Sequence, residues 1–225
     1  MTAEVGNYVA YTGNNGCPAG HCDGTNANYE NDTVMGWCGE SDYKFKANGW
    51  RIMAKDAGGV YIVSAGAPEC MCTNSDGTKS DSSCSTSIEN ANSLNLHINN
   101  LNEVARSYCN TQYAKNATCN ETTAWAMSES DYQRITGNTL SSCEFISSEA
   151  CGLTNTLIDN SGFYWYANAH TSSLNNAFYW DPYVQSPYNM TSNYLLGVRP
   201  VLYLESGVSI VGGEGTYASP YQLSN

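Results

Sequence analysis

Three histidines, ten cysteines and 21 carboxylates are the groups with which this chain of 225 residues could do chemistry. A catalytic triad needs a base beside a nucleophile and a third group to orient it. His21 sits in a cysteine-rich loop, His97 falls on the expected polar face of a helix, and His170 stands beside Thr171 and Ser172 with no nucleophile motif. The carboxylates are scattered, and no pair has a spacing that suggests glycoside hydrolysis. Gly212-Gly213-Glu214-Gly215 lacks the helix start and lysine of a phosphate loop and reads as a turn between terminal strands. No catalytic residue and no cofactor is expected, so the protein is read as a non-enzyme.

The cysteines are Cys17, Cys22, Cys38, Cys70, Cys72, Cys84, Cys109, Cys119, Cys143 and Cys151. Zinc sites are usually built from paired Cys-x2-Cys knuckles or from paired Cys and His. Here the closest pair is Cys70-x-Cys72, and no second knuckle follows Cys17, His21 and Cys22. An even number of cysteines in polar loops reads as the disulfide framework of an exported protein. Local spacing favours Cys109 with Cys119 and Cys143 with Cys151. It also allows Cys17 with Cys22, and Cys84 with either Cys70 or Cys72.

The remaining chemistry is recognition. In "GFYWYANAHT", Phe163, Trp165, Ala167 and Ala169 alternate with Tyr164, Tyr166, Asn168 and His170. The first set reads as core and the second as an outward face. Between Cys151 and Val198 there is no Lys, Arg or Glu. Tyrosine, asparagine and serine dominate instead, as in an antibody combining site, where stiff aromatic area is combined with adaptable hydrogen bonding. The candidate ligand-binding residues are Tyr164, Tyr166, Asn168, His170, Ser172, Asn175, Asn176, Phe178, Tyr179, Asp181, Tyr183, Gln185, Tyr188, Asn189, Asn193 and Tyr194. Trp165 and Trp180 are assigned to the core, and Arg199 to anchoring the last strand through a polar partner.

A net charge of −12 with only nine Lys plus Arg argues against a phosphate backbone or an anionic membrane surface as partner. No apolar run of about twenty residues is present to span a bilayer. "MTAEVGNYVAY" reads as a domain entered mid-protein, so an export signal or membrane anchor is expected upstream.

The elements that must position these groups are short. "VGNYVAYTG" reads as a first strand. Trp50–Ala54 and Val60–Ser64 form a hairpin around Asp56-Ala57-Gly58-Gly59. Leu94, Ile98, Leu101, Val104, Ala105 and Tyr108 recur at helical spacing. "SESDYQRITG" reads as a second helix, with Ser128 and Asp131 spaced as a capping box and Gly137 as the stop. Strands are expected again at 162–170, 175–181 and "GVRPVLYLE". The fold class is α+β with mainly antiparallel strands and two helices.

The early Trp-Arg hairpin, "WAMSESDYQRI", "YWYANA" and the closing "GVRPVLYL" together resemble the C-type lectin fold. The likeness is to that fold as used in the branch of formylglycine-generating-enzyme-like proteins and variable proteins of diversity-generating retroelements. The last sixty residues also resemble bacterial surface modules, several of which follow a pilin-like helix. The resemblance covers 45–69 and 120–223 within one domain of 1–225. Residues 14–43 and 70–93 read as Cys-rich excursions. It implies a surface-displayed binding module, such as an adhesin or pilus-associated receptor, with a hypervariable face at 163–194 and a protein or glycan ligand on another cell or phage. Extracellular or cell-surface location follows.

The chain also departs from these families. The Glu-Pro-Asn and Trp-Asn-Asp calcium motifs of sugar-binding lectins are missing, and 150–198 holds only Asp159 and Asp181 where calcium needs about six to eight oxygens. Formylglycine-generating enzymes use reduced cysteines with copper, and no cysteine follows Cys151. A pilin-like subunit that assembles through the same face is the alternative function.

Overall fold

The computed structural model describes residues 3–11, 49–84, 90–146, 151, 157, 163–170, 173 and 175–224. Its strands and helices run β1 Tyr8–Ala10, β2 Trp50–Asp56, β3 Gly59–Ser64, β4 Glu69–Thr73, β5 Lys79–Ser80, α1 Ala91–Ser107, β6 Ala124–Ala126, α2 Glu129–Thr136, α3 Leu140–Cys143, β7 Tyr164–Ala169, β8 Asn176–Asp181, β9 Ser186–Thr191, β10 Leu196–Val198, β11 Pro200–Glu205, β12 Ser209–Gly212 and β13 Tyr221–Ser224. The class is α+β, as the sequence implies, with a third short helix beside the two expected. Among the described residues no helix is long and apolar enough to cross a membrane.

The β2–β3 hairpin forms where the glycines predict it. Asp56 Oδ1 accepts the N–H groups of Gly58 at 2.8 Å and Gly59 at 3.0 Å. A side chain at Gly59 would collide with the Leu204 carbonyl on the neighbouring strand. α1 is capped by Asn90, whose side chain accepts from Asn92 N and Ser93 N. α2 carries the expected reciprocal capping box between Ser128 and Asp131 and ends at Gly137 with φ 79°.

Two sheets result, ordered β12-β13-β1-β2-β3-β11-β6 and β5-β4-β10-β7-β8-β9. Pairing is antiparallel except for β1 with β13 and β7 with β10. Among the described strands the chain passes between sheets four times, and two of these passages, β3 to β4 and β10 to β11, run side by side. β10 and β11 flank Arg199, and their antiparallel neighbours β4 and β3 make the same passage. Arg199 is 1% exposed at this crossing. Its Nε donates to the Ser64 carbonyl at 2.9 Å and a terminal N–H donates to the Leu157 carbonyl. Its guanidinium lies 5.2 Å from the Tyr164 ring centre. The anchoring role expected of Arg199 is what its contacts provide.

One core fills the space around α1, with Trp50, Ile62, Leu101, Phe163, Trp165 and Leu202. A second lies with α2 and α3, and holds Met53, Tyr132, Leu140, Tyr164, Tyr166, Phe178 and Trp180. β7 contributes alternate side chains to both.

Three expectations are corrected. His97 is fully buried, not on a polar face. The 3.6-residue period places it between Leu94 and Leu101 on the inward stripe. There its Nδ1 lies 3.0 Å from Thr73 Oγ1 and its ring meets Trp165 edge-on. Burial pushes its pKa down from 6.5 to about 3. Second, Glu69–Thr73 is a strand of the second sheet and not part of an excursion, with Cys70, Met71 and Cys72 buried. Third, the outward face assigned to Tyr164 and Tyr166 is interior.

Cys109–Cys119 and Cys143–Cys151 pair as the spacing favours, and Cys84 takes Cys72. Cys70 is also disulfide-bonded. These bridges are consistent with an oxidising, extracellular environment. The segment 14–43 and Cys17, Cys22 and Cys38 lie outside the described residues.

Candidate recognition surface

The surface is built where α3 ends against β9, the edge strand of the second sheet. Thr139 caps α3, its hydroxyl accepting from Ser142 N while Ser142 Oγ accepts from Thr139 N. The helix stops at Cys143, which the Cys151 bridge holds in place. Cys143, Glu144 and Phe145 are fastened to β9 and to His170 at the end of β7. Ser186 Oγ donates to the Cys143 carbonyl at 2.9 Å. Asn189 donates to one Glu144 oxygen, and His170 Nε2 lies 3.0 Å from the other. Asn176 donates to Asn189 Oδ1 at 2.6 Å. The Phe145 N–H donates to the Pro187 carbonyl. Proline cannot donate to a further strand, so this edge is both covered and blunted.

The result of this clamping is an exposed phenylalanine in an unfavourable backbone conformation. Phe145 has φ 60° and is 61% exposed. The left-handed region costs a non-glycine residue roughly 1–2 kcal/mol. Its ring stands edge-on to Tyr188 with centres 4.4 Å apart. Phe145, Ile146, Val184, Ser186 and Tyr188 surround a shallow concavity of about 290 Å³. The adjoining β8–β9 turn is held by Asp181, whose Oδ1 accepts the Tyr183 N–H at 2.9 Å. Gln185 closes that turn with φ 52°. Among the described residues eight large apolar side chains are exposed, and Phe145, Ile146, Tyr183, Val184 and Tyr194 are five of them. Apolar exposure is thus concentrated in α3's exit and the two turns flanking β9.

The predicted site residues divide by depth. Tyr164, Tyr166, Phe178 and Tyr179 are buried, as are Trp165 and Trp180. The Tyr164 and Tyr166 hydroxyls bond each other at 2.9 Å inside the second core. Burial first, then the charge interaction and hydrogen bond with the Tyr164 hydroxyl, drive the Tyr166 pKa well above 10. β7 is interior to its sheet and its alternate side chains enter the two cores, so both its faces are covered and 163–194 is not one continuous surface. Asn168 caps α2 by accepting the Glu129 N–H. His170, Asn176 and Asn189 form the clamp on Glu144. Asn175 accepts from Ser173, and Asn193 from Thr191. Tyr183, Gln185, Tyr188 and Tyr194 reach solvent, while Ser172 lies outside the described residues. Phe145, Ile146 and Val184 are surface residues that the reading of the sequence passed over. The available signal was "EFI", an apolar pair inside a polar stretch bounded by Cys143 and Cys151.

Among the described residues no three His, Cys, Asp or Glu side chains gather as a metal site. No family model matches the chain, and neither curated proteins nor solved structures include a significant match.

Proposed function

We propose that the protein is an exported, surface-displayed binding module on a C-type-lectin-like scaffold, of the adhesin or pilus-associated kind. It takes a protein or glycan ligand through the rim formed by Phe145, Ile146, Tyr183, Val184, Gln185 and Tyr188. The observation that carries this reading is Phe145. An exposed aromatic ring fixed in a left-handed conformation by neighbours on β9 and by His170 does little for stability, and such strain concentrates at functional positions. A rigid aromatic presented beside a small cleft is what an interface hot spot requires. The turn tyrosines and Gln185 supply a polar margin to it.

The test is to array the purified protein against surface proteins and glycans, then measure affinity for each hit with Phe145→Ala and Val184→Asp. Losses of about thirtyfold or more are expected, since truncating a hot spot costs ~2 kcal/mol or more. Hits whose affinity is unchanged in both variants would place recognition elsewhere. Sedimentation of the protein alone checks the assembly alternative. Concentration-dependent self-association lost in Val184→Asp would assign the rim to a pilin-like contact between copies.

A further inference from the structure

A second concavity lies on the seven-stranded sheet, away from the rim. It measures about 350 Å³, near the lower end of small-molecule sites. Its floor is Ile52, Ile62 and Leu204 on β2, β3 and β11, and Ile210 and Leu223 on β12 and β13 form one wall. The other lining groups are aliphatic too, except Lys55. This composition is unlike the rest of the molecule. The chain holds 17 Tyr and 5 Trp, yet among the described residues no aromatic ring and no carboxylate lines this concavity. Rings and polar side chains are what a saccharide would need; an aliphatic lining suits an alkyl chain. The single charge among its described lining residues is the cation of Lys55, in a protein with nine Lys plus Arg against 21 Asp plus Glu. Lys55 Nζ donates to the Ala3 carbonyl, which holds the ammonium beside the lining. An ammonium has three N–H donors, so two remain for an anion.

We infer that this concavity binds an amphiphile with an unbranched alkyl tail and a carboxylate head, as in a medium-chain fatty acid. The tail lies over Ile52, Ile62 and Leu204, and the head meets Lys55. The match of a single cation to a single anionic head fixes the orientation. This site is independent of the rim.

The probe is decanoate, titrated calorimetrically below its micelle-forming concentration into the intact chain, with decanol for comparison. Saturable binding of one decanoate per chain is expected, with a negative heat-capacity change from apolar burial. Ile210→Trp fills the concavity from a half-buried wall position and should abolish it. Lys55→Met should weaken decanoate by roughly fivefold and leave decanol unchanged, the scale of a solvent-accessible ion pair. Lys55→Met carries the test alone should Ile210→Trp not fold. Absence of saturable binding would overturn the site, as would decanoate binding unmoved by Lys55→Met. Association with phosphatidylserine vesicles in place of monomeric decanoate would also overturn it.

Discussion

β7 and β9 carry similar residues and have opposite fates. Both contain tyrosine and asparagine, and both belong to the six-stranded sheet. β7 is interior in that sheet, between β10 and β8, and its two faces feed two separate cores. β9 is the edge, with Tyr188, Asn189 and Met190 only half-buried. Tyrosine in the first packs and bonds inside the protein; tyrosine in the second, and in the turns beside it, meets solvent. Position in the strand order therefore decides which aromatic residues can recognise a partner, and composition alone does not.

The sharpest way to break this comparison is truncation. Tyr166→Ala should cost about 3–5 kcal/mol in denaturant unfolding, because it opens a cavity and removes a buried hydrogen bond to the Tyr164 hydroxyl. The same change at Tyr183, 55% exposed, should stay within about 0.5 kcal/mol. Equal losses would erase the distinction.

The buried side of the comparison also predicts a pH dependence. His97 titrates near 6.5 when unfolded but only near 3 when folded. Between those values the unfolded chain binds the extra proton, so stability falls as pH falls, by up to about 1.4 kcal/mol per pH unit. Comparison with His97→Gln across pH 7 to 3 isolates this contribution from the carboxylates. Parallel curves would mean that His97 is accessible to protons in the folded state.

On the exposed side, Phe145→Gly should be more stable than Phe145→Ala by roughly 1 kcal/mol, since only glycine adopts the left-handed backbone freely. Both variants lose the ring. Identical midpoints in thermal unfolding would show that the clamp on Glu144 does not impose this conformation.

Much of the local structure was legible in the sequence. The glycine turn at 58–59, the periodicity of α1, the capping box of α2 and two short disulfides all rest on interactions within a few residues. His97 was misread through its polarity, although its spacing from Leu94 and Leu101 already placed it inside. The outward reading of Tyr164 and Tyr166 failed for a less local reason. Alternation marks a strand with one solvated face, but a near-continuous apolar run marks one buried on both. Phe163 to Ala167 is such a run if tyrosine is counted with the apolar residues. Its covering layers, α1 on one face and α2 with Arg199 on the other, come from segments on either side of it in the chain, and no pattern within β7 reveals them. Phe145 escaped notice because its exposure depends on Asn189, His170 and Pro187, residues 25 to 44 positions further along the chain.

Tyrosine accessibility tests the division between buried strand and exposed rim most directly. The native protein would be treated briefly with tetranitromethane and nitrated tyrosines located by peptide mass spectrometry. Tyr183 and Tyr194 should be modified first, Tyr188 more slowly, and Tyr164 and Tyr166 only after unfolding. Nitration of Tyr166 at the rate of Tyr183 in folded protein would contradict the account and return β7 to the surface.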